Sequence, residues 1–286
     1  MKMKKVINCS CSIFYRLNIF GENLMNKLKK ILVTSITAAT MMTAVTAHAG
    51  VCNDVTFAEF KTAMKLSYEE TQGAGFSLPM WATLMNKQGK ICYVSTVKGL
   101  DEFGAGTAVG NGGAESTNNA WLGSRVISAQ KAFTANAFSL DGLAISSGAL
   151  SVTVYPGGSL YGLQHSNPVD ATEAYAGDPS TYGTSSDPLM GKTIGGVNVF
   201  GGAVALYDGG VKVGAVGASG DTSCRDHTFA YRMRVNLGLD TEPNDDGLAQ
   251  VGNPAALFEI PACGVNDPSV TVYQAADDNG IRSPAP

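Results

Sequence analysis

Charged side chains are scarce in this chain, since Asp, Glu, Lys and Arg together make up only 15% of its 286 residues. Positive charge is the scarcer sign, with 20 Lys or Arg residues against 24 Asp or Glu residues. No stretch interleaves basic with aromatic residues, as a surface that binds nucleic acid often does. Nucleic acid and anionic lipid both require concentrated positive charge, so the sequence argues against either as a partner.

Long apolar runs are also missing. The stretch Ile31–Val45 is apolar, but it is too short and too rich in Thr to span a bilayer. Three lysines within residues 27–30 precede it, and Ala47-His48-Ala49 follows as an A-x-A cleavage signal. The pattern predicts that residues 1–49 comprise an upstream segment and a signal peptide cleaved before Gly50, with an uncleaved anchor helix as the alternative. We therefore expect a periplasmic or secreted protein with no membrane span after cleavage.

Loss of residues 1–49 would leave a strongly acidic chain. That segment holds seven of the 20 basic residues and one of the 24 acidic residues, so 13 basic and 23 acidic residues remain and the net charge becomes −10. The remaining length suits one domain with a sizeable core, which we expect at 50–240. An acidic, Pro-rich C-terminal extension follows at 241–286, and its last residues, 264–286, are predicted to have little structure of their own.

The cysteines that remain after cleavage lack the close pairs typical of a zinc site. They are Cys52, Cys92, Cys224 and Cys263. An even number in an exported chain suggests two disulfides, for which three pairings are possible. We favour Cys52–Cys92, which would join the first helix to the first hairpin, and Cys224–Cys263, which would join the last helix to the tail.

Capping signals and apolar spacing predict three helices. Thr56 and Glu59 form a capping box that begins the first helix, and Gly73-Ala74-Gly75 ends it. The second helix is predicted over 119–138, and the third over about 223–237.

Strand-like segments occupy the intervals between these helices. Residues 78–85 and 91–97 are typical of a hairpin. Residues 197–200 with 203–207, and then 211–218, are also interpreted as strands, with a tight turn at Asp208-Gly209-Gly210. Hairpin strands covered by helices predict an α+β fold built on a central antiparallel sheet.

Two regions interrupt this regular order. Residues 168–193 are rich in Pro, Gly, Ser, Thr and Asp, which predicts an excursion over the surface. Ser219-Gly220-Asp221-Thr222 lies where the last strand meets the last helix. Such a junction presents free backbone N–H groups suited to an anionic group, so we expect a functional surface there.

Short motifs follow one another in an order that resembles a known family. The second helix carries the first set, Trp121, Ser128, Lys131-Ala132, Thr134-Ala135 and Phe138. The later motifs are Pro156-Gly157-Gly158, Leu160-Tyr161-Gly162, Phe200-Gly201-Gly202, Gly214–Gly220 and Asp226-His227. This ordered set, within Val55 to Arg234, resembles the GlcG/HbpS-like haem-binding family, also known as haem-degrading domains.

The resemblance implies a profilin-like α+β domain with a central antiparallel sheet flanked by helices. It also implies self-assembly into dimers or larger rings, and binding of haem or a related tetrapyrrole. Some members are credited with haem breakdown, and others occur beside glycolate or diol metabolism. This chain departs from the family in its insertion at 168–193, its four cysteines and its tail. Because the insertion follows the loop with Pro156-Gly157-Gly158, we expect it to cover or alter whatever that loop binds.

Histidine and tyrosine side chains are the candidate iron ligands. His165 and Tyr161 lie in the Gly-rich loop, and imidazole and phenolate both ligate haem iron. His227 follows Asp226 at the start of the last helix, where a neighbouring carboxylate can orient an imidazole. The ordinary interpretations are a loop His bonded to the backbone, a packing Tyr and a half-buried helix His.

Arg125 and Lys131 on the second helix are the candidate partners of the haem carboxylates. Six residues separate them, roughly 600° of helix, so they do not share a face. Arg125 is better suited to bidentate contact with a carboxylate, and Arg225, Arg232 and Arg234 are alternatives. A solvated surface charge is the ordinary interpretation of each.

The sequence therefore favours an exported, self-associating haem-binding protein that stores, senses or breaks down haem. Two alternatives stay open on the same fold. One is an enzyme of small-molecule metabolism that uses the same pocket, and the other is an assembly module without a ligand. Whether the chain is an enzyme is left open.

Overall fold

A four-stranded antiparallel sheet lies at the centre of the fold, in a computed structural model that describes residues 50–71, 75–76, 78–97 and 120–247. The strands are β1 Trp81–Asn86, β2 Ile91–Thr96, β3 Ala203–Asp208 and β4 Val211–Ser219. Their order across the sheet is β2-β1-β4-β3. The predicted α+β class with a central antiparallel sheet is confirmed, while the predictions for 1–49 and for 264–286 lie outside the described residues.

Within the described residues, three long α-helices and three short ones accompany the sheet. They are α1 Val51–Asp54, α2 Phe57–Glu70, α3 Gly123–Phe138, α4 Leu163–Ser166, α5 Ala171–Ala174 and α6 Ser223–Asn236. The predicted capping box begins α2, because Thr56 accepts from the Glu59 amide and Glu59 accepts from the Thr56 amide. Of the helices in the described ranges, none combines the length and the apolar character that a membrane crossing demands.

Helices α2 and α6 cover one face of the sheet. Phe60 and Met64 of α2 and Phe229 of α6 pack against Leu84 and Val216 of the central strands, and all five are fully buried. Burial of a side chain of this size stabilises the fold by about 1.5–3 kcal/mol. This layer is therefore an apolar core of the kind that the helical spacing of the sequence predicts.

Helix α3 covers the opposite face at very short range. A Cβ at Gly217 of β4 would lie 2.2 Å from the Ser128 carbonyl oxygen, so the strand backbone touches the helix backbone. Ala129 and Ala132 of α3 are fully buried in this contact layer, and Ser128 Oγ lies 2.7 Å from Thr83 Oγ of β1. The small residues of α3 and β4 make this close packing possible.

The insertion at 168–193 runs over the surface for most of its length, as predicted, but a few of its side chains are buried against the core. Its base is closed by the Val169–Gly195 bridge. Ala174, Leu189 and Tyr182 are buried and pack in the same cluster as Trp81. The insertion therefore completes the layer that α3 leaves open over Trp81. Its polar composition concealed a few apolar side chains that are spaced too irregularly to give a helical or strand period.

Residues 197–200 do not form the predicted strand. Their backbone crosses α3, where the Asn198 amide donates to Thr134 Oγ1 at 2.9 Å. Gly195, Gly196 and Gly202 on either side have positive φ values between 63° and 130°. These glycines turn the chain too sharply for the short apolar run to continue as the strand that begins at Ala203.

The outer edges of the sheet are bonded to other parts of the chain. Along β3, Ser147 exchanges hydrogen bonds with Ala203, Arg234 donates to the Ala205 carbonyl oxygen, and the Tyr207 amide donates to the Leu239 carbonyl oxygen. Along β2, Ile91 exchanges backbone hydrogen bonds with Gly191 and Lys192, and Lys61 donates to the Thr96 carbonyl oxygen. Segments distant in sequence therefore occupy the positions that a further strand would take.

One predicted disulfide is confirmed. Cys52 and Cys92 are joined, which ties α1 to β2. Cys224 is also disulfide-bonded, and its predicted partner Cys263 lies outside the described residues.

Candidate functional site

The loop between residues 155 and 162 is built from successive tight turns. The Gly158 amide donates to the Tyr155 carbonyl oxygen at 2.8 Å, and the Leu160 amide donates to the Thr153 carbonyl oxygen at 2.9 Å. A Cβ at Gly158 would lie 2.2 Å from that Thr153 oxygen, so only glycine fits. Gly162, with a φ of 92°, then turns the chain into α4.

Helix α4 is fixed to the body of the domain by one apolar and one polar contact. Leu163 packs against the apolar cluster that contains Val199. Gln164 Oε1 accepts a hydrogen bond from the Val199 amide at 3.4 Å. His165 follows Gln164 and Phe200 follows Val199, so both residues adjoin this contact along the chain.

Several large apolar side chains on the segments that meet at this contact are exposed. Their exposed fractions are 54% for Tyr155, 38% for Leu160, 64% for Tyr161 and 57% for Phe200. His165 is exposed as well, and its imidazole has no hydrogen bond or ion pair with any of the described residues. We refer to these five residues as the loop face. Grouped apolar exposure of this kind marks a surface that contacts something else.

Arg125 lies in the interior, so its interpretation as a solvated surface charge is wrong. Its Nε donates to Asp187 Oδ2 at 2.9 Å and its Nη2 donates to Asp187 Oδ1, while Nη1 donates to the Ala174 carbonyl oxygen at 3.0 Å. The Tyr182 ring stacks on the guanidinium, 3.7 Å from Cζ to the ring centroid. Arg125 therefore holds the insertion in place, and a contact with a haem carboxylate would require Asp187 to leave.

Lys131 is buried in a second ion pair. Its Nζ donates to Asp226 Oδ2 at 2.8 Å and to the Ala218 carbonyl oxygen at 3.2 Å. Burial raises the pKa of Asp226 to about 6, although the positive charge of Lys131 acts in the opposite direction. The arrangement joins α3 to the start of α6 beneath Gly202, where a Cβ would lie 3.0 Å from Lys131 Nζ.

His227 lies fully buried beside this pair, with an exposed fraction of 0%. Neither of its ring nitrogens has a hydrogen-bond partner within the described part of the chain. Asp226 does not orient the imidazole as the sequence suggested, because its carboxylate accepts from Lys131 and from the Asp221 amide instead. Burial lowers the pKa of His227 to about 4, so the imidazole is neutral at neutral pH.

Three of the N–H groups at the junction of β4 and α6 bond within the chain and are not free for an external anion. The Asp221 amide donates to Asp226 Oδ1, the Thr222 amide to Asp221 Oδ1, and the Arg225 amide to Thr222 Oγ1. The Asp221 carboxylate also accepts from the Phe76 amide at 2.9 Å. The carboxylates and the hydroxyl of the chain itself take up these donors, which explains why the junction is closed.

The structure thus separates the sequence-predicted site residues into two groups. His165 and Tyr161 share the loop face, whereas Arg125, Lys131 and His227 are buried. The alternative cations Arg225, Arg232 and Arg234 form ion pairs with Asp221, Glu70 and Asp246. The described residues also contain no group of three or more His, Cys, Asp or Glu side chains that could hold a metal ion.

Sequence reasoning missed two parts of this arrangement. Asp187 was not identified as the partner of Arg125, and no local pattern marks it, because the two residues are 62 positions apart. Tyr155 and Leu160 were not identified as part of an apolar surface. Their position beside Pro156-Gly157-Gly158 was the available signal, because a turn that tight leaves large neighbours exposed.

Comparisons with known proteins agree with the resemblance. Residues 114–233, which include the whole loop face, match the family model described as haem degrading protein HbpS-like. Two solved structures are similar in fold, each with 19% sequence identity. The ORFY protein of Klebsiella pneumoniae has a TM-score of 0.40 and aligns over 64% of this chain and 90% of its own. A PduOC:heme complex has a TM-score of 0.42, with 66% and 98% covered. No curated protein matches the chain.

Proposed function

We propose, from the HbpS-like match over residues 114–233, that the chain binds haem or a closely related iron tetrapyrrole on the loop face, with His165 as an axial ligand. The observation that carries the proposal is the exposed imidazole of His165, unbonded to other described residues and set among exposed apolar side chains. Haem combines an iron that accepts imidazole with a large apolar macrocycle, so the two halves of this surface match the two halves of the ligand.

The residues of the loop face have different roles in binding. His165 presents a ring nitrogen to the iron, and Tyr161 is the second candidate ligand through its phenolate. Tyr155, Leu160 and Phe200 contact the macrocycle and remove apolar surface from water. Bound haem supplies an iron centre that exchanges axial ligands and electrons, while the chain binds and orients it.

His165 is a better candidate than His227 because of access. A macrocycle reaches His165 without any movement of the core, whereas His227 is covered by packed side chains. An axial role for His227 would require the layer between α6 and Gly202 to open. We therefore assign the iron contact to His165 and keep His227 as a buried neutral residue.

We also propose that the protein is exported to the periplasm or secreted. The basic, apolar and A-x-A segments before Gly50 support this, and so does the Cys52–Cys92 disulfide, because such bonds persist in oxidising compartments. Determination of the N-terminus of the protein recovered from cell fractions tests the proposal. Retention of residues 1–49 in a cytoplasmic product would contradict it.

Self-association is the further part of the proposed function. The edges of the described sheet are bonded to the chain itself, so we expect copies to meet through helix faces or loops rather than by extending the sheet. Sedimentation of the purified protein with and without haemin measures the assembly. A monomer under both conditions would contradict self-association and leave the haem site unaffected.

A haemin titration tests the central proposal. The mature protein should give a saturable shift of the Soret absorption band. His165→Ala should lose the spectrum of the imidazole-ligated iron and bind haemin at least tenfold more weakly, while Ser166→Ala on the same helix should behave like the unchanged protein. An unchanged spectrum in His165→Ala would overturn the ligand assignment, and the absence of any saturable shift would favour an assembly module without a ligand.

The same preparation separates storage or sensing from breakdown. Peroxide or a reductant with oxygen should bleach the Soret band and produce new bands if the protein supports haem degradation. A stable spectrum would favour storage or sensing. Turnover of short hydroxy acids without haem would instead favour an enzyme of small-molecule metabolism.

A further inference from the structure

We infer that the loop face recognises the macrocycle and the iron but not the carboxylate side chains of its ligand. Its ligand class is then iron tetrapyrroles irrespective of whether their carboxylates are free or esterified. The inference rests on the proposed haem-binding function and makes that function more specific.

The sequence around the loop face carries no positive charge. Between Lys131 and Lys192, sixty consecutive residues contain no Lys or Arg and contain five acidic residues. Tyr155, Leu160, Tyr161 and His165 all belong to that stretch. A site for carboxylates ordinarily uses Arg or Lys side chains, because their charge-assisted hydrogen bonds are the strong ones.

The cations that border this stretch are already bonded elsewhere. Arg125 donates to both carboxylate oxygens of Asp187. The three lysines donate at 2.6–2.8 Å: Lys131 to Asp226, Lys192 to Glu173, and Lys212 to the carbonyl oxygens of Asn136 and Ser139. Arg125 and Lys131 are also buried. Recruitment of either to a ligand carboxylate would leave a buried Asp without its partner, which is strongly unfavourable.

The expected position of the ligand follows from this distribution of charge. The ring system lies against the exposed apolar side chains, and the carboxylates point toward solvent, away from the acidic residues of the insertion. Loss of a charge-assisted hydrogen bond typically weakens binding about tenfold or more. A site without such bonds should therefore bind the free acid and its ester almost equally.

A comparison of haemin with iron protoporphyrin IX dimethyl ester tests the inference. Both ligands are titrated into the mature protein in the same non-ionic detergent at pH 7.5. The dissociation constants should agree within about threefold, and that of haemin should change less than about twofold between low and high salt. A preference for haemin of tenfold or more would overturn the inference while leaving the proposed function intact.

A charge introduced into the loop provides the matched control. Ser159 is exposed and lies directly between Gly158 and Leu160 of the loop. Ser159→Lys should create a several-fold preference for haemin over the ester, which salt should abolish, whereas Ser159→Gln should create none. A preference for haemin of tenfold or more in Ser159→Gln, which adds no charge, would show that cations of the unchanged chain already bind the carboxylates, and it would overturn the inference. Failure of both ligands to bind the unchanged protein would overturn the proposed function and the inference with it.

Discussion

The interior of this domain contains paired charged side chains, whereas its loop face contains apolar side chains and an imidazole. The described part of the interior includes the buried ion pairs of Arg125 with Asp187, Lys131 with Asp226, Arg225 with Asp221, and Arg234 with Asp246. The loop face holds neutral rings, one aliphatic side chain and an imidazole. Most of the few Lys and Arg side chains that the structure describes therefore bond to other groups of the same chain.

The comparison also distinguishes residues that suggest a ligand site by their side-chain type alone from residues that are accessible to a ligand. Arg125 and Lys131 have the chemistry of anion binding, yet each holds an internal carboxylate supplied from more than 60 residues away. His165 has no such partner within the described residues and faces solvent. Substitutions in the interior should therefore change stability, and substitutions on the loop face should change ligand binding.

Asp187→Ala should give the largest effect on stability. The change leaves the buried Arg125 charge without its partner, which typically costs about 3–5 kcal/mol of the free energy of unfolding. Urea unfolding of the protein that begins at Gly50 measures the loss. Asp178→Ala, in the same insertion but on its exposed side, should cost much less because it removes only a cap for the Ser180 amide. Equal losses in the two variants would contradict the interior role of Asp187.

His227→Leu should alter how stability depends on pH. Because burial lowers the pKa of His227 to about 4, below the usual 6.5, the folded state resists protonation and loses stability as the pH falls from 6.5 to 4. The loss at pH 4.5 should be about 2–3 kcal/mol, at about 1.4 kcal/mol per pKa unit. Asp246 raises this pKa, whereas Arg234 and Lys131 lower it.

Asp226 also contributes to the pH dependence of stability in the unchanged protein. The informative quantity is therefore the difference in stability between the unchanged protein and His227→Leu. The raised pKa of Asp226, about 6, adds stability as the pH falls from 6 toward 3.8, which opposes the effect of His227. His227→Leu should therefore retain more of its pH 7 stability at pH 4.5 than the unchanged protein does. Urea unfolding at both pH values measures this, and identical pH dependence would show that His227 is not the buried neutral group assigned.

Phe200→Ser should give the smallest effect on stability. The side chain is more than half exposed, so the free energy of unfolding should change by no more than about 0.5 kcal/mol. Haemin affinity should fall about tenfold, because an apolar contact with the macrocycle is lost. Phe76→Ser, which removes another Phe that is more than half exposed, should leave the affinity unchanged. Matching affinities in the two variants would remove Phe200 from the site.

Local patterns predicted the parts of the fold that depend on near neighbours in sequence. The capping box at Thr56, the turn at Asp208-Gly209-Gly210 and the helices α3 and α6 each depend on residues within a few positions, and each is confirmed. The strand proposed at 197–200 is wrong because the flanking glycines outweigh a short apolar run.

The partners of buried charges were not predictable in the same way. The pair of Lys131 and Asp226 joins residues 95 positions apart, and nothing in the local sequence of either selects the other. The insertion shows the same limit, because its few buried side chains have meaning only beside Trp81. The exposure of His165 was easier to anticipate, since a Gly-rich loop seldom buries its side chains.

The bonded sheet edges bear on how this protein behaves when many copies are crowded together. An open edge offers a row of backbone donors and acceptors that can template growth of cross-β aggregates. Here Ser147, Arg234 and Leu239 already occupy such positions along β3, and Gly191, Lys192 and Lys61 do so along β2. Because these backbone positions are already hydrogen-bonded, a folded copy cannot template a β-aggregate there until the bonded segments detach from the sheet edge.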